Sequence, residues 1–153
     1  MTLATPPFQS DVTPVTRRQI AALCWRKKRG GIEVLLITSR ETGRWVIPKG
    51  WPMDGRLSHE AAAIEAWEEA GVQGLIQEKS LGVFGYNKLY PAKPSVFCEV
   101  EVYPLRVAKL LAKFPERTER RRKWFSPKKA AKSVHEEGLS EILLAASKAL
   151  ITG

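Results

Sequence analysis

Hydrophobic positions alternate along residues 17–28, RRQIAALCWRKK, with Ile20, Ala22 and Cys24 on one side, which predicts a strand. Lys27-Lys28-Arg29-Gly30-Gly31 reads as a turn and 32–39, IEVLLITS, as a second β-prone run, so the two predict a hairpin. Arg44-Trp45-Val46-Ile47 is a short apolar strand stopped by Pro48, and Lys49-Gly50-Trp51-Pro52 then makes a loop. From Ser58, a plausible N-cap, to the stop at Gly71 the period changes to that of a helix. Its apolar stripe is Ala63, Ala66, Trp67 and Ala70, while Ala61 and Ala62 leave the opposite face open. Residues 75–90 read as broken strands with bends at Gly82 and Gly85, and 86–94 as a loop. Period-2 alternation returns at 95–107, SVFCEVEVYPLRV, then a polar segment runs to 123 and Trp124-Phe125 marks a short strand. Two helices close the chain: one from Pro127 through Val134, and an amphipathic one from about Leu139 to Ile151. This order predicts an α/β fold in which helices sandwich a mixed β-sheet. Residues 1–16 are expected to form an irregular N-terminal arm and 17–153 a single domain.

The central helix carries Glu65, Glu68 and Glu69 at i, i+3 and i+4, within roughly a quarter of the helical circumference. Carboxylates grouped in this way repel by a few tenths of a kcal/mol per pair and resist ionising together. A solvated acidic face is the plain explanation. The alanines beside it favour a hard-cation site instead, since Mg²⁺ prefers carboxylate and water oxygens and bridges them to substrate phosphates. Gly50, in the loop before the helix, permits close backbone approach.

Composition adds four constraints. At 153 residues and 44% hydrophobic, the chain is long enough for one sizeable core. Cys24 and Cys98 lie in strand-like runs without CxxC or His-rich spacing, so buried reduced thiols in a cytoplasmic protein are expected. The first nineteen residues contain three prolines and no apolar core of a signal peptide, and no later run approaches the ~20 residues of a membrane span. The net charge of +9 implies attraction to polyanions: nucleic acid, polyphosphorylated nucleotides or inositol polyphosphates. Nucleic acid is the less favoured partner, because paired stacking aromatics of the RRM kind are missing.

The stretch GRWVIPKGWPMDGRLSHEAAAIEAWEEAGVQG resembles the box of the Nudix hydrolases, G-x5-E-x7-R-E-U-x-E-E-x-G-U with U aliphatic. Gly50, Glu65, Glu68, Glu69, Gly71 and Val72 fall on matching positions, whereas Arg56, Ile64 and Ala66 replace the first glutamate, the arginine and an aliphatic residue. In the family the first glutamate and the arginine hold loop and helix together and orient the following glutamates. The resemblance implies a Nudix-type α/β/α sandwich and Mg²⁺-dependent hydrolysis of a pyrophosphate bond, with Mn²⁺ as a possible substitute. Glu68 and Glu69 would be the main metal ligands, Glu65 a further ligand or the base, and the Lys49 or Gly50 carbonyl a completing donor.

A further carboxylate often comes from a downstream loop, and Glu119 and Glu116 are the candidates, with Glu99 and Glu101 as weaker alternatives. His59 and His135 are read as capping or surface residues. Within the family, RRQIAALCWRKK, LLITSRETGRWVIPKGW, EEAGVQG, RRRKWF and AAKSV resemble the diphosphoinositol polyphosphate phosphohydrolases, a branch that also includes dinucleoside polyphosphate hydrolases. Transferred onto matching positions, Arg17, Arg18, Ser39, Arg40, Lys49, Arg121 and Arg122 become candidate phosphate contacts. Two alternatives stay open: a Nudix hydrolase of ADP-ribose, a nucleoside triphosphate or an RNA 5′ end, using Trp51, Phe84, Tyr86 or Tyr90 as an aromatic clamp, and a silent polyanion-binding domain.

Overall fold

The computed structural model describes residues 16–151. The expectation for the N-terminal arm therefore lies outside the described residues, apart from Thr16, which already belongs to the first strand. The strands are β1 (Thr16–Lys28), β2 (Gly31–Thr38), β3 (Trp45–Val46), β4 (Lys49–Gly50), β5 (Val72–Ile76), β6 (Gly82–Tyr90), β7 (Lys93–Leu110) and β8 (Arg122–Phe125). The helices are α1 (Ser58–Ala70), α2 (Pro127–Ser133) and α3 (Glu137–Ile151).

All eight strands join one mixed sheet whose main path is β3-β2-β1-β7-β5, with β4 on β1, β6 on β7 and β8 on β2. The central β1 and β7 run parallel from Thr16↔Phe97 to Trp25↔Arg106, and the other pairings are antiparallel. Alternation along β1 then divides the core. Ile20, Ala22 and Cys24 pack on one face with the alanines of α1, while Ala21, Leu23 and Trp25 pack on the other with Leu139, Leu143, Ala146 and Leu150 of α3. Each buried Leu contributes roughly 1.5–3 kcal/mol of transfer free energy, so the i, i+4 stripe is enough to seat α3. Helices on both faces make the expected α/β/α sandwich. Both cysteines are buried free thiols.

Three local expectations are corrected. Residues 86–94 form no loop: β6 runs to Tyr90 and turns directly into β7 through Ala92, which takes φ 59° to close a tight hairpin. The α1 stripe is rotated, since Ala61, Ala62, Ala66 and Ala70 are buried whereas Trp67 is 40% exposed. The N-cap of α1 is Leu57, whose backbone N–H donates to the Glu60 carboxylate at 2.9 Å, because the Ser58 hydroxyl accepts from Arg18 instead. Gly71 ends α1 as expected, in the left-handed conformation at φ 67°.

Candidate active site

A cleft of about 760 Å³ opens where α1, the β3–β4 segment, the end of β6 and two loops meet. Glu65 and Glu69 project into it from α1, and Lys49 and Gly50 line it from β4. β4 is fixed against β1 by the register Ile20↔Gly50 and by the Ala22 N–H, which donates to the Pro48 carbonyl at 3.0 Å. Gly50 lies against Glu65: a Cβ added there would stand 2.4 Å from the Glu65 Cδ. Only a residue without a side chain lets the strand and the carboxylate approach so closely.

Glu69 is only 8% exposed, and its partners come from two directions. The Lys49 N–H donates to Oε1 at 3.2 Å, and the Arg120 guanidinium lies 3.8 Å from Oε2. Burial raises the Glu69 pKa, opposed by Arg120, by the hydrogen bond with Glu65 and by the Lys49 N–H. Glu65 is pushed up to about 8, chiefly by burial and then by the neighbouring Glu69 charge, so without a cation a protonated Glu65 donates to Glu69. The Lys49 ammonium, 5.1 Å over the Tyr86 ring, is shifted downward by burial, with Glu69 and Glu136 pulling the other way.

The opposite wall is the loop between β7 and β8. It is tied to α1 by the Glu116 N–H donating to the Glu68 carbonyl at 3.0 Å, and to β2 by mutual hydrogen bonds between Thr38 and Arg121. Charges alternate across this wall. Arg40 reaches Glu119 at 3.2 Å and Glu116 at 3.8 Å, and Arg120 reaches Glu116 at 2.8 Å.

The residues singled out from the sequence thus separate. Glu65, Glu69, Lys49, Gly50, Ser39 and Arg40 line the cleft, as do Glu116 and His135. Ser39 acts there through its own loop, accepting from the Thr42 and Arg44 N–H groups. Glu119 stands beside the cleft on Arg40. Glu68 is not among the lining residues, although its charge is near enough to raise the Glu65 pKa.

Four of the arginines singled out from the sequence lie away from the cleft lining. Arg17 is exposed at the start of β1, opposite Cys98. Arg18 bonds Ser58 and Glu101 on the sheet face that carries α1. Arg121 stacks over Trp45 at 5.8 Å. Arg122 donates to the Ala70 and Leu111 carbonyls at 2.7 and 2.8 Å, satisfying a backbone group that the end of α1 leaves open. Its guanidinium is occupied by backbone, which explains why it does not reach the cleft. Arg120, Arg44, Lys88 and Glu136 line the cleft and escaped sequence reasoning. For Arg120 a signal existed, its i, i+4 spacing from Glu116.

Among the described residues no three His, Cys, Asp or Glu side chains form a ready-made metal cage. The donor set is instead a carboxyl pair, Glu65 and Glu69, facing an unobstructed backbone. That suits Mg²⁺, which keeps several waters and takes one or two carboxylates together with substrate phosphates. Burial first and the Glu69 charge second raise the Glu65 pKa, and a cation held between the two carboxylates would oppose both effects.

A family model described as NUDIX domain matches residues 15–145. The chain belongs to the Nudix family. Its curated relatives include human diphosphoinositol polyphosphate phosphohydrolase 3-alpha, 32% identical over 139 residues that make up 86% of this chain and 80% of the relative. They also include Arabidopsis thaliana Nudix hydrolase 12, mitochondrial, 34% identical over 115 residues, 73% of this chain and 57% of the relative. The chain spans 57–64% of the length of the four Arabidopsis relatives it matches. Among solved structures, a C. elegans Ap4A hydrolase binary complex superposes with a TM-score of 0.64 at 24% identity, covering 90% of this chain and 99% of that one. The Nudix domain of Shewanella oneidensis NrtR, complexed with ADP ribose, gives a TM-score of 0.64 at 14% identity, covering 95% and 99%. These two likenesses establish the Nudix fold. Within the described residues no helix is long and apolar enough to cross a membrane.

Proposed function

We propose that this Nudix domain is a Mg²⁺-dependent hydrolase that cleaves a pyrophosphate bond in a highly phosphorylated small molecule, an inositol pyrophosphate or a dinucleoside polyphosphate. The observation that carries the reading is the Glu65–Glu69 pair, pressed against Gly50 on one wall of a cleft whose other wall presents Arg40. When bound, Mg²⁺ would neutralise charge on the bridging phosphates and lower the pKa of a bound water. Glu65 and Glu69, with the Lys49 or Gly50 carbonyl, would hold it, and lining of the cleft favours these two over Glu68.

The remaining work falls to this chain's own side chains. Arg40, 55% exposed at the rim, and the Lys49 ammonium inside offer positive charge to the phosphates that flank the scissile bond. Glu116 and Glu119 engage Arg40, and they are our candidates among the downstream carboxylates to take a proton from an attacking water. Mn²⁺ satisfies the same oxygen donors. The likeness to a diphosphoinositol polyphosphate phosphohydrolase supports the substrate class.

A second reading has one observation in its favour: Trp51 and Tyr86 both line the cleft, and aromatic rings are the side chains on which the nucleobase of an ADP-ribose or nucleoside triphosphate would stack. A substrate panel assayed with Mg²⁺ and with Mn²⁺ decides between them. Release of phosphate from an inositol pyrophosphate, or of nucleotides from a dinucleoside polyphosphate, is expected, and E69Q should abolish it. Full activity in E69Q would overturn the site assignment.

A further inference from the structure

Glu69 is a buried carboxylate whose two oxygens are held from opposite sides. Oε1 accepts from a backbone N–H of β4 at 3.2 Å, and Oε2 faces the Arg120 guanidinium at 3.8 Å. Two elements far apart in sequence thus act on this carboxylate, beside the hydrogen bond it shares with Glu65. Among the described residues, Arg120 is the one basic side chain ion-paired to any of Glu65, Glu68 and Glu69, and its partner there is Glu69. The helix itself supplies no such charge, because Ile64 stands where the Nudix box carries its arginine and Arg56 where the box carries that arginine's glutamate.

Arg120 is itself immobilised. Its side chain is 10% exposed, Nε donates to Glu116 at 2.8 Å, and Nη1 donates to the Thr38 carbonyl at 3.2 Å. Thr38 is in turn locked, its N–H donating to the Arg121 carbonyl and its hydroxyl accepting the Arg121 N–H. A guanidinium with three anchors differs from Arg40, which is 55% exposed and held only by two partly exposed glutamates. One is built to stay, the other to exchange partners.

We propose that Arg120 is a positioning residue, supplying from the far wall of the cleft the cation that fixes Glu69 and that the helix of this chain lacks. The inference rests on the proposed role of Glu69 in holding a divalent cation. It assigns Arg120 no direct contact with substrate. Loss of a partner that orients a ligand carboxylate typically costs 10–100-fold in metal affinity or activity.

The test compares R120A, R120Q and R120K with wild type by Mn²⁺ binding, followed by electron paramagnetic resonance without substrate, by steady-state kinetics and by thermal melting. R120Q retains N–H donors for Glu116 or Thr38 should R120A fold poorly. In the neutral variants Mn²⁺ affinity and kcat should each fall by about 10–100-fold, with KM within about threefold, and R120K should recover part of both losses. Mn²⁺ affinity and kcat within threefold of wild type in folded R120Q would overturn the proposal. So would a tenfold rise in KM at constant kcat, which would make Arg120 a substrate contact. If wild type hydrolyses nothing in the panel yet binds Mn²⁺, and R120Q loses that binding, the hydrolase reading falls while this one stands. A wild type that binds no Mn²⁺ defeats both.

Discussion

Replacing Gly50 by alanine tests the geometry of the cleft at its tightest point. An added Cβ would lie 2.4 Å from both Cδ and Oε2 of Glu65 and 2.8 Å from Oε1, against an ordinary contact distance of 3.4 Å or more. The carboxylate must therefore retreat by 3.4 − 2.4 = 1.0 Å. The backbone at Gly50 is not left-handed, so alanine introduces no conformational strain and the steric contact is the whole perturbation. Because the obstructed group is the end of a flexible side chain, stability should fall by no more than about 1 kcal/mol, the low end for overpacking. Catalysis should suffer far more, since a 1 Å displacement of a reacting or ligating group costs on the order of 10²-fold in rate. The assay pairs Mg²⁺-dependent turnover of the best wild-type substrate with a melting curve of the same sample. A drop of about 100-fold in kcat with Tm lowered by only about 2–4 °C is expected. A G50A protein that keeps kcat within threefold of wild type would refute the claim that Glu65 works where it rests against Gly50.

Two further predictions use the same logic. R122A removes two charge-assisted hydrogen bonds to backbone carbonyls, worth about 1.5–3 kcal/mol each before water replaces part of the loss. It should lower stability by about 2–4 kcal/mol, or roughly 4–16 °C, with KM unchanged, whereas R40A should raise KM with Tm nearly constant; the opposite pattern in calorimetry and kinetics would exchange their roles. In metal-free protein the Glu65 carboxyl holds its proton up to a pKa of about 8, while the unfolded chain releases it near 4.5. Its stabilising contribution is then fully present below about pH 4.5 and is lost as pH rises to about 8. Tm should accordingly fall between about pH 5 and 8 in wild type and fall less in E65Q, and saturating Mg²⁺ should raise Tm more near pH 8 than near pH 5. An identical Mg²⁺ shift at both pH values would remove Glu65 from the metal site.

The sheet was legible because its strands carry period-2 patterns that burial on one face enforces. β1 and β7 were read correctly before anything placed them side by side. α1 was harder. Its buried face is Ala61, Ala62, Ala66 and Ala70, and small residues carry too little hydrophobic contrast to set a helical phase, so the pattern directs the large Trp67 toward the core instead. The end of β6 was obscured because its hairpin closes through Ala92 at positive φ, without the Asn-Gly or Gly-Gly signature that such turns usually show.

The site divided along a different line. Residues spaced by one helix or one tight loop, Glu65, Glu69 and Gly50, could be related from the sequence because local geometry fixes their separation. Arginines could not, since chemically identical side chains go to acceptors chosen by the tertiary fold, and two of them, Arg40 and Arg120, share Glu116. Arg18 goes to a glutamate 83 residues away, Arg122 to the end of a helix 52 residues back, and Arg120 to Glu69 on the facing wall. The net charge of +9 likewise says little about the cleft. Its lining holds five basic side chains, Arg40, Arg44, Lys49, Lys88 and Arg120, against five acidic ones, Glu41, Glu65, Glu69, Glu116 and Glu136. The excess positive charge therefore sits elsewhere on the surface, where it can draw a polyanion in only over a Debye length of about 8–10 Å. Inside, the Glu69 and Glu116 charges repel a phosphate until a cation offsets them, and Glu65 adds to them once it ionises. If the cleft holds the metal as proposed, this balance couples substrate entry to metal occupancy, and a polyphosphate that binds equally well with and without Mg²⁺ would count against that site.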